Sequence, residues 1–199
     1  MKSSYSYSYG HDEKYCYPNT NVLKNKCNIE DANKLMCYER EISNIMVEEV
    51  YRKADKKKKV GLSFFFDIHK TLFGSIYEWA GKIRTVDIAK GTLFCRTFAI
   101  ESELNRVFNE LEQDNYLKGY SKTELCDKMA YYMSEINAIH PFREGNGRTQ
   151  RLYMEILASK LGYSLDFSNV TEDEMIEASV ESFNGHYEKM IKVFQKSLK

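Results

Sequence analysis

The chain has 199 residues, the length of a single domain, and its 29 lysines and arginines balance its 29 aspartates and glutamates, so composition gives no sign of direct nucleic-acid binding. No apolar run approaches the ~20 residues of a membrane-spanning helix, and the first residues lack the apolar segment of a signal peptide, so we expect no membrane association. The five cysteines are scattered and include no Cys-x-x-Cys pair, which favours reduced thiols in a cytoplasmic protein over a structural zinc site.

Residues 1–20 differ from the rest of the chain. Serine and tyrosine alternate from Ser3 to Tyr9, and Pro18 follows after a short polar stretch. Alternation can indicate a β-strand, but serine gives a weakly defined polar face and no partner run follows nearby. We therefore expect residues 1–20 to form a mobile tail and residues 21–199 to form one domain.

Apolar residues at spacings of three and four predict that most of the remaining chain is helical. These apolar stripes cover residues 35–50, 64–73, 100–111, 125–139, 152–161 and 187–194. Two capping boxes, Ser121-x-x-Glu124 and Thr171-x-x-Glu174, mark helix starts. His69 falls within the second stripe, where a hydrogen-bonded or partly exposed histidine is expected and a metal ligand is not. The pattern predicts an all-α domain of six to eight helices.

Residues 84–98 change in character. Residues 84–88 alternate polar and apolar side chains like a short strand, Lys90-Gly91 is a turn signal, and residues 93–95 could return as a second strand. An isolated two-stranded hairpin is only marginally stable in water, so this one must pack against helices or serve as a flap.

One short stretch combines several kinds of chemistry at the junction of two predicted helices. It reads His140-Pro141-Phe142-Arg143-Glu144-Gly145-Asn146-Gly147-Arg148-Thr149-Gln150-Arg151. Pro141 ends the upstream helix, because its ring forces the preceding residue out of helical geometry. The turn Gly145-Asn146-Gly147 can adopt positive φ angles and aim successive backbone N–H groups at one point. Arg148 and Arg151 project from the same helix face, so the combination predicts a polyphosphate site.

The same stretch supplies residues suited to catalysis. His140 is the histidine flanked by the anion site, which makes it the natural general base. A helix C-terminus favours the charged imidazolium whereas a base must be neutral, so the operating pKa of His140 is left open. Glu144 is a hard oxygen ligand that suits Mg²⁺ shared with a nucleotide, and Asn146 with the flanking glycine N–H groups would hold phosphate oxygens. Arg148 and Arg151 would neutralise charge on the β- and γ-phosphates.

This stretch resembles the signature of the Fic family, His-x-Phe-x-Asp/Glu-Gly-Asn-Gly-Arg-x-x-Arg, at every fixed position. Residues 77–84 are also similar to the segment that leads into the Fic flap, and residues 17–26 resemble the N-terminal approach of short bacterial Fic proteins. The resemblance implies a Fic-type helical bundle with a small β-hairpin flap, and it makes Phe142 a core anchor that fixes the loop.

The resemblance further implies protein adenylylation, in which AMP moves from ATP to a side-chain hydroxyl of a target protein and pyrophosphate leaves. His140 would deprotonate the target Ser, Thr or Tyr, and Glu144 would hold Mg²⁺. The phosphates would meet Gly145, Asn146, Gly147, Arg148 and Arg151. The target segment would add as a strand to a flap formed by Val86, Asp87, Ile88, Ala89, Lys90, Gly91, Thr92, Leu93 and Phe94.

Two departures from family patterns refine this expectation. The related Doc proteins, which transfer phosphate, carry a lysine at the second glycine of the turn, so Gly147 favours nucleotidyl transfer. Many Fic proteins also carry an inhibitory Ser/Thr-x-x-x-Glu-Gly/Asn helix, whereas the two Ser/Thr-x-x-x-Glu matches here, at residues 97–101 and 168–172, are followed by neither Gly nor Asn. The resemblance therefore implies a toxin restrained by a separate small antitoxin whose glutamate pairs with Arg151.

Other functions stay open at this point. A Fic-fold transferase of UMP, phosphocholine or phosphate is one alternative, and a non-catalytic interaction module is another, although the intact His140 argues against the latter. Type II topoisomerase subunits are candidate targets by resemblance alone. Tyr5, Tyr7 and Tyr9 are candidate sites of self-adenylylation. The oligomeric state is not indicated by any motif.

Overall fold

The computed structural model describes residues 13–199 of the chain. This part contains seven α-helices, so the predicted all-α class with six to eight helices is confirmed. The helices are α1 (Ala32–Asp55), α2 (Leu62–Phe73), α3 (Ile100–Gln113), α4 (Lys122–Ile139), α5 (Asn146–Lys160), α6 (Glu172–Phe183) and α7 (Glu188–Ser197). Short 3₁₀ turns occupy Thr97–Ala99, Asn115–Leu117 and Phe167–Asn169.

Local sequence signals fix the starts of two of these helices. Ser121 and Glu124 form a reciprocal capping box at the start of α4, and Thr171 and Glu174 form another at the start of α6. Each box satisfies backbone N–H groups that have no partner within the helix. The two helix starts predicted from these patterns are confirmed.

Helix α4 lies at the centre of the packing. It contacts α3, α5, α6 and α7, while α2 packs between α1 and α5. The side chains of Met129, Tyr132 and Ile136 on its inward face are fully buried, as its apolar stripe predicts. The α4–α5 loop at residues 140–145 is therefore supported by the helix that carries the most packing.

The strands are shorter than the sequence suggests. β1 (Ala89–Lys90) pairs antiparallel with β2 (Thr92–Leu93), and Gly91 turns between them with φ of 76°. The expectation of a strand over residues 84–88 is wrong. That segment folds as a loop because Arg84 donates to the carbonyl of Val86 and Asp87 accepts the backbone N–H of Thr97.

The N-terminal boundary predicted at residue 20 is too late. Tyr15 and Cys16 are buried, and Cys16 forms an isolated antiparallel bridge with Leu23. The Tyr15 ring packs edge-on against Trp79 at 5.8 Å between centroids, and its hydroxyl accepts the backbone N–H of Thr85. Residues 13–20 are thus part of the packed domain, because two apolar side chains there find long-range partners.

Residues 1–12 of the expected tail, which include Tyr5, Tyr7 and Tyr9, lie outside the described residues. Across residues 13–199, no helix combines the length and apolarity needed to cross a membrane.

Candidate active site

The loop between α4 and α5 is closed by the side chain of Asn146. Its Oδ1 accepts the N–H of Phe142 at 2.9 Å and its Nδ2 donates to the carbonyl of Phe142 at 2.8 Å. This amide is 1% exposed and both of its ends bond the loop backbone, so the side chain of Asn146 shapes the loop. The expected contact of Asn146 with phosphate stays a prediction for its backbone N–H group.

Gly145 is required by geometry at the turn into α5. Its φ is 80°, and a Cβ at this position would lie 2.4 Å from the Phe73 ring. Any side chain would displace that ring as well as strain the backbone. The loop can approach α2 this closely only with glycine.

His140 is held as a neutral imidazole. It ends α4 in the left-handed conformation, with φ of 50° and ψ of 61°, and its ring is almost fully buried. Nδ1 lies 3.2 Å from the carbonyl of Asn137; because a carbonyl only accepts, Nδ1 carries the proton and Nε2 is the basic nitrogen. Burial lowers the pKa of His140 to about 3, and the charges of Arg84 and Lys90 act in the same direction. Burial therefore outweighs the effect of the helix C-terminus, and the His140 imidazole is neutral.

Phe94 covers the His140 ring. The two rings stack with centroids 3.9 Å apart and an angle of 16° between their planes. Phe94 directly follows β2, so the end of the hairpin lies against the candidate base. Phe94 is part of the predicted flap, but no sequence pattern indicates this stacking.

Arg84 joins the hairpin to the end of α4. Its guanidinium is fully buried and donates to the carbonyl oxygens of His140 at 2.8 Å and Val86 at 2.7 Å, and also to those of Ile139 and Cys95. These carbonyls lie on both sides of the hairpin and at the last turn of the helix. No sequence motif indicates this role, although Arg84 lies in the segment that resembles the flap approach.

His69 supports the loop from α2. Gly81 N–H donates to its Nδ1 at 2.8 Å, so Nε2 carries the proton and donates to the carbonyl of Glu144 at 2.9 Å. Its ring also stacks on Phe142 at 3.7 Å. Burial lowers the pKa of His69 to about 3. The expected hydrogen-bonded core histidine is confirmed, and it orients the backbone beside Glu144.

Charged side chains form a cluster at the start of α5. Arg148 pairs with Glu39 of α1 at 2.6 Å, and its Nη2 also lies 3.7 Å from Glu144. Glu144 accepts the N–H of Gly145 at 2.9 Å, and burial, followed by the charge of Glu39, raises its pKa. Glu39 is absent from the sequence-based site. The signal for it is a carboxylate four residues after Leu35, on the apolar face of α1.

A cavity of roughly 300 Å³ brings most of the predicted residues together. The loop side contributes His140, Glu144, Gly145, Gly147, Arg148 and Arg151, and the hairpin side contributes Lys90, Thr92 and Phe94. Helix α6 closes it with Met175, Ile176, Ser179, Val180 and Phe183, which no sequence motif indicates. The remaining predicted residues do not line it: Val86, Asp87, Ile88, Ala89, Gly91, Leu93, Phe142 and Asn146.

The chemistry of the cavity fits an anionic, nucleotide-sized ligand. Two arginines, the N-terminus of α5, the apolar side chains of α6 and the buried imidazole of His140 all line this one cavity. In the described range 13–199 there is no group of three or more His, Cys, Asp or Glu side chains arranged to hold a metal ion. Glu144 is the carboxylate that faces the cavity.

Known proteins are similar to this chain in sequence and in fold. The Fic/DOC family matches residues 59–158. Protein adenylyltransferase VbhT of Bartonella schoenbuchensis is 38% identical over 190 residues, which cover 95% of this chain but only 40% of VbhT. "Probable protein adenylyltransferase y4lH" of Sinorhizobium fredii is 37% identical over 176 residues, which cover 87% of this chain and 90% of that protein.

Solved structures with nucleotides are similar over nearly the whole chain. The BepC protein of Bartonella tribocorum, with bound AMPPNP, superposes with a TM-score of 0.84 at 30% identity and covers 94% of this chain and 97% of that chain. The N-terminal Fic domain of a VirB-translocated Bep effector of Bartonella quintana, with bound ADP, has a TM-score of 0.87 at 30% identity, with coverage of 94% and 95%.

The two buried histidines predict a loss of stability in mild acid. Folding holds the pKa of His69 and of His140 at about 3, below the ordinary value of 6.5 that applies in the unfolded chain. Protonation therefore favours unfolding. Above pH 6.5 both histidines are neutral in the folded and the unfolded chain and cost no stability. As the pH drops from 6.5 to about 5, the free energy of unfolding should fall by about 2 kcal/mol per histidine.

Urea unfolding at about pH 7 and pH 5 measures this loss in the wild-type chain and in His69→Gln. The variant should show a pH-dependent drop smaller by about 2 kcal/mol, because it has lost one of the two groups. An equal drop in both proteins, or an imidazole resonance of either histidine that titrates between these pH values in the folded chain, would contradict the assignment.

Proposed function

The chain belongs to the Fic/DOC family, and we propose that it is a protein adenylyltransferase, which moves AMP from ATP to a side-chain hydroxyl of a target protein. One observation carries the proposal: a neutral imidazole with its Nδ1 proton fixed lies in the same cavity as two arginines at a helix N-terminus. One cavity thus offers both a base and charge stabilisation for a leaving polyphosphate.

The reaction follows from the placement of these groups. Nε2 of His140 takes the proton of the target hydroxyl, and the oxygen attacks the α-phosphorus of ATP. A P–O bond forms to the target as the bond to the β-phosphate bridge breaks, and pyrophosphate leaves. Arg148, Arg151 and the backbone N–H group of Gly147 stabilise the charge that develops on the leaving group.

The residues present also fit a magnesium ion shared with the nucleotide. Glu144 offers a hard carboxylate oxygen on the cavity wall beside the turn that faces the phosphates. The ion, when bound with ATP, supplies charge neutralisation on phosphate oxygens.

Gly147 supports transfer of AMP over transfer of phosphate. A Cβ at this position would lie 3.2 Å from Nη1 of Arg151, so a longer side chain would press on that arginine. The glycine leaves Arg151 in place beside the terminal phosphates. Phosphate transfer from the γ-position is therefore the second candidate and not the first.

Labelled ATP distinguishes the two reactions. The chain is incubated with Mg²⁺ and ATP labelled at the α- or the γ-phosphate, with lysate or with purified type II topoisomerase subunits as a first target. We expect protein label from the α-position only, reduced at least about a hundredfold in His140→Ala because the general base is lost. The exposed His186→Ala variant is the matched control and should retain labelling.

Label from the γ-position alone would contradict adenylylation and favour a kinase. Label from neither position, with any of the proteins in the lysate, would favour an interaction module. Peptide mapping of the labelled chain also reports whether Tyr5, Tyr7 or Tyr9 is self-modified.

We propose that the hairpin at residues 86–94 registers the target segment by strand addition. Its two strands are only two residues long and leave backbone N–H and C=O groups on their outer edges for a further strand. Lys90, Thr92 and Phe94 line the cavity, and Phe94 contacts the base. A strand docked here would lie next to His140.

Leu93→Pro tests strand addition, because the N–H of Leu93 points to the outer edge of β2 and proline removes that donor. We expect transfer to the target to fall on the order of a hundredfold, since misplacement of a reacting group is costly, while ATP affinity changes by less than about threefold. Leu93→Ala keeps the N–H group and is the matched control. Full transfer by Leu93→Pro would refute strand addition.

We propose that regulation enters at Arg151. This arginine lines the cavity, burial lowers its pKa, and the charges of Glu155 and Glu172 act in the opposite direction. No carboxylate in the described range 13–199 lies within ion-pairing distance of it. The sequence also lacks the full inhibitory pattern, so a separate small antitoxin supplies the glutamate that pairs with Arg151 and blocks the γ-phosphate.

This proposal predicts an active lone chain. The purified protein should label its target unaided, and a neighbouring small protein with a Ser/Thr-x-x-x-Glu-Gly/Asn helix should suppress labelling at least about tenfold through its glutamate. Replacement of that glutamate by alanine should restore labelling. Within the chain, Glu172→Gln is the control: a marked gain of activity in this variant would reveal an internal inhibitory carboxylate and contradict the antitoxin.

A further inference from the structure

Glu39 is a buried carboxylate on α1 that the reaction described above does not use. The residue is 7% exposed. It accepts a hydrogen bond from Nη2 of Arg148 at 2.6 Å and another from the hydroxyl of Tyr77. A buried carboxylate is costly unless it is paired and hydrogen-bonded, and these two donors meet that requirement.

The Arg148 guanidinium is held on three sides. Glu39 accepts a hydrogen bond from Nη2, and the hydroxyl of Ser43 lies 3.4 Å from Nη1. The centroid of the Phe73 ring lies 4.6 Å from the guanidinium carbon. Glu39 and Ser43 are four residues apart and so present the same face of α1. These contacts fix the orientation of a long side chain that would otherwise sample many rotamers.

Glu39 contacts Arg148 without lining the cavity. Arg148 is among the residues that line the cavity, whereas Glu39, Ser43 and Tyr77 are not among the lining residues of the described chain. A carboxylate inside the cavity would compete with phosphate for the arginine. Glu39, outside the lining, holds the arginine without occupying the space that a phosphate would take.

Glu144 is the alternative partner for the same guanidinium. Its Oε1 lies 3.7 Å from Nη2 of Arg148, and Glu144 does line the cavity. A full Arg148–Glu144 pair would neutralise both the arginine that meets the phosphates and the carboxylate suited to Mg²⁺. The closer contact with Glu39 opposes that pairing.

We propose that Glu39 is a positioning residue: it aims Arg148 at the terminal phosphates of the nucleotide and keeps it from pairing with Glu144. The inference rests on the proposed binding of ATP in this cavity. It adds a residue of α1, far outside the motif, to the groups on which phosphate recognition depends, and Tyr77 orients that residue in turn.

The test compares ATP with AMP, because only ATP carries the phosphates that Arg148 meets. Calorimetric titration of Glu39→Gln should show ATP affinity reduced at least about tenfold, the cost of one misdirected charge-assisted hydrogen bond, with AMP affinity changed less than about threefold. Glu41→Gln, which removes an exposed carboxylate from the same helix, is the matched control and should bind both nucleotides like the wild type.

A double-mutant cycle shows whether Glu39 acts through Arg148. In an Arg148→Lys background, Glu39→Gln should reduce ATP affinity by less than about twofold further, because the fork that Glu39 orients is already lost. Tyr77→Phe is the second variant should Glu39→Gln fail to fold. It should reduce ATP affinity by about threefold and leave AMP affinity unchanged, because Glu39 keeps its charge but loses one donor.

Three results would overturn the proposal. A gain in ATP affinity in Glu39→Gln would mean that Glu39 competes with phosphate. Equal losses for ATP and AMP would mean a general structural role. An undiminished effect in the Arg148→Lys background would mean that Glu39 acts elsewhere.

The outcomes also separate this inference from the proposed reaction. A wild-type chain that binds ATP with the expected pattern but transfers no AMP refutes the adenylyltransferase and leaves the positioning of Arg148 in place. A wild-type chain that transfers AMP while Glu39→Gln binds ATP normally refutes the positioning alone.

Discussion

The arrangement of the site depends on the hydrogen bonds that the Arg84 guanidinium donates. A fully buried positive charge is tolerated only when its donors are satisfied, and here they reach four backbone carbonyls. Two of these carbonyls, Ile139 and His140, belong to the end of α4, where no intrahelical donors remain and a cation is electrostatically favoured. The other two, Val86 and Cys95, flank the hairpin. One side chain thus fixes the hairpin to the residue that carries the candidate base.

The loop between α4 and α5 is also held by groups that do not line the cavity. His69 holds the carbonyl of Glu144, Asn146 closes the turn onto Phe142, and Glu39 holds Arg148. Burial has a chemical consequence as well as a structural one, because it keeps the His140 imidazole neutral and therefore able to accept a proton. The residues that line the cavity are positioned mainly by a second set of buried polar residues behind them.

Local patterns are enough to predict the helices, their two capping boxes and the turn between α4 and α5, because each depends on residues close together in the chain. The supporting contacts cannot be predicted in this way. Arg84 reaches His140 across 56 residues, His69 reaches Glu144 across 75, and Arg148 reaches Glu39 across 109. The errors have the same origin: the alternation at residues 84–88 is overridden by burial of Arg84, and Tyr15 is held in the domain by the distant Trp79.

A crystal structure of the chain with Mg²⁺ and a non-hydrolysable ATP analogue would show whether ATP binds in the orientation that AMP transfer needs. We expect that the α-phosphorus lies nearest Nε2 of His140, that the β- and γ-phosphates meet Arg148 and Arg151, and that Arg148 still contacts Glu39. A nucleotide bound with its γ-phosphate nearest His140, or bound outside the cavity, would contradict this expectation.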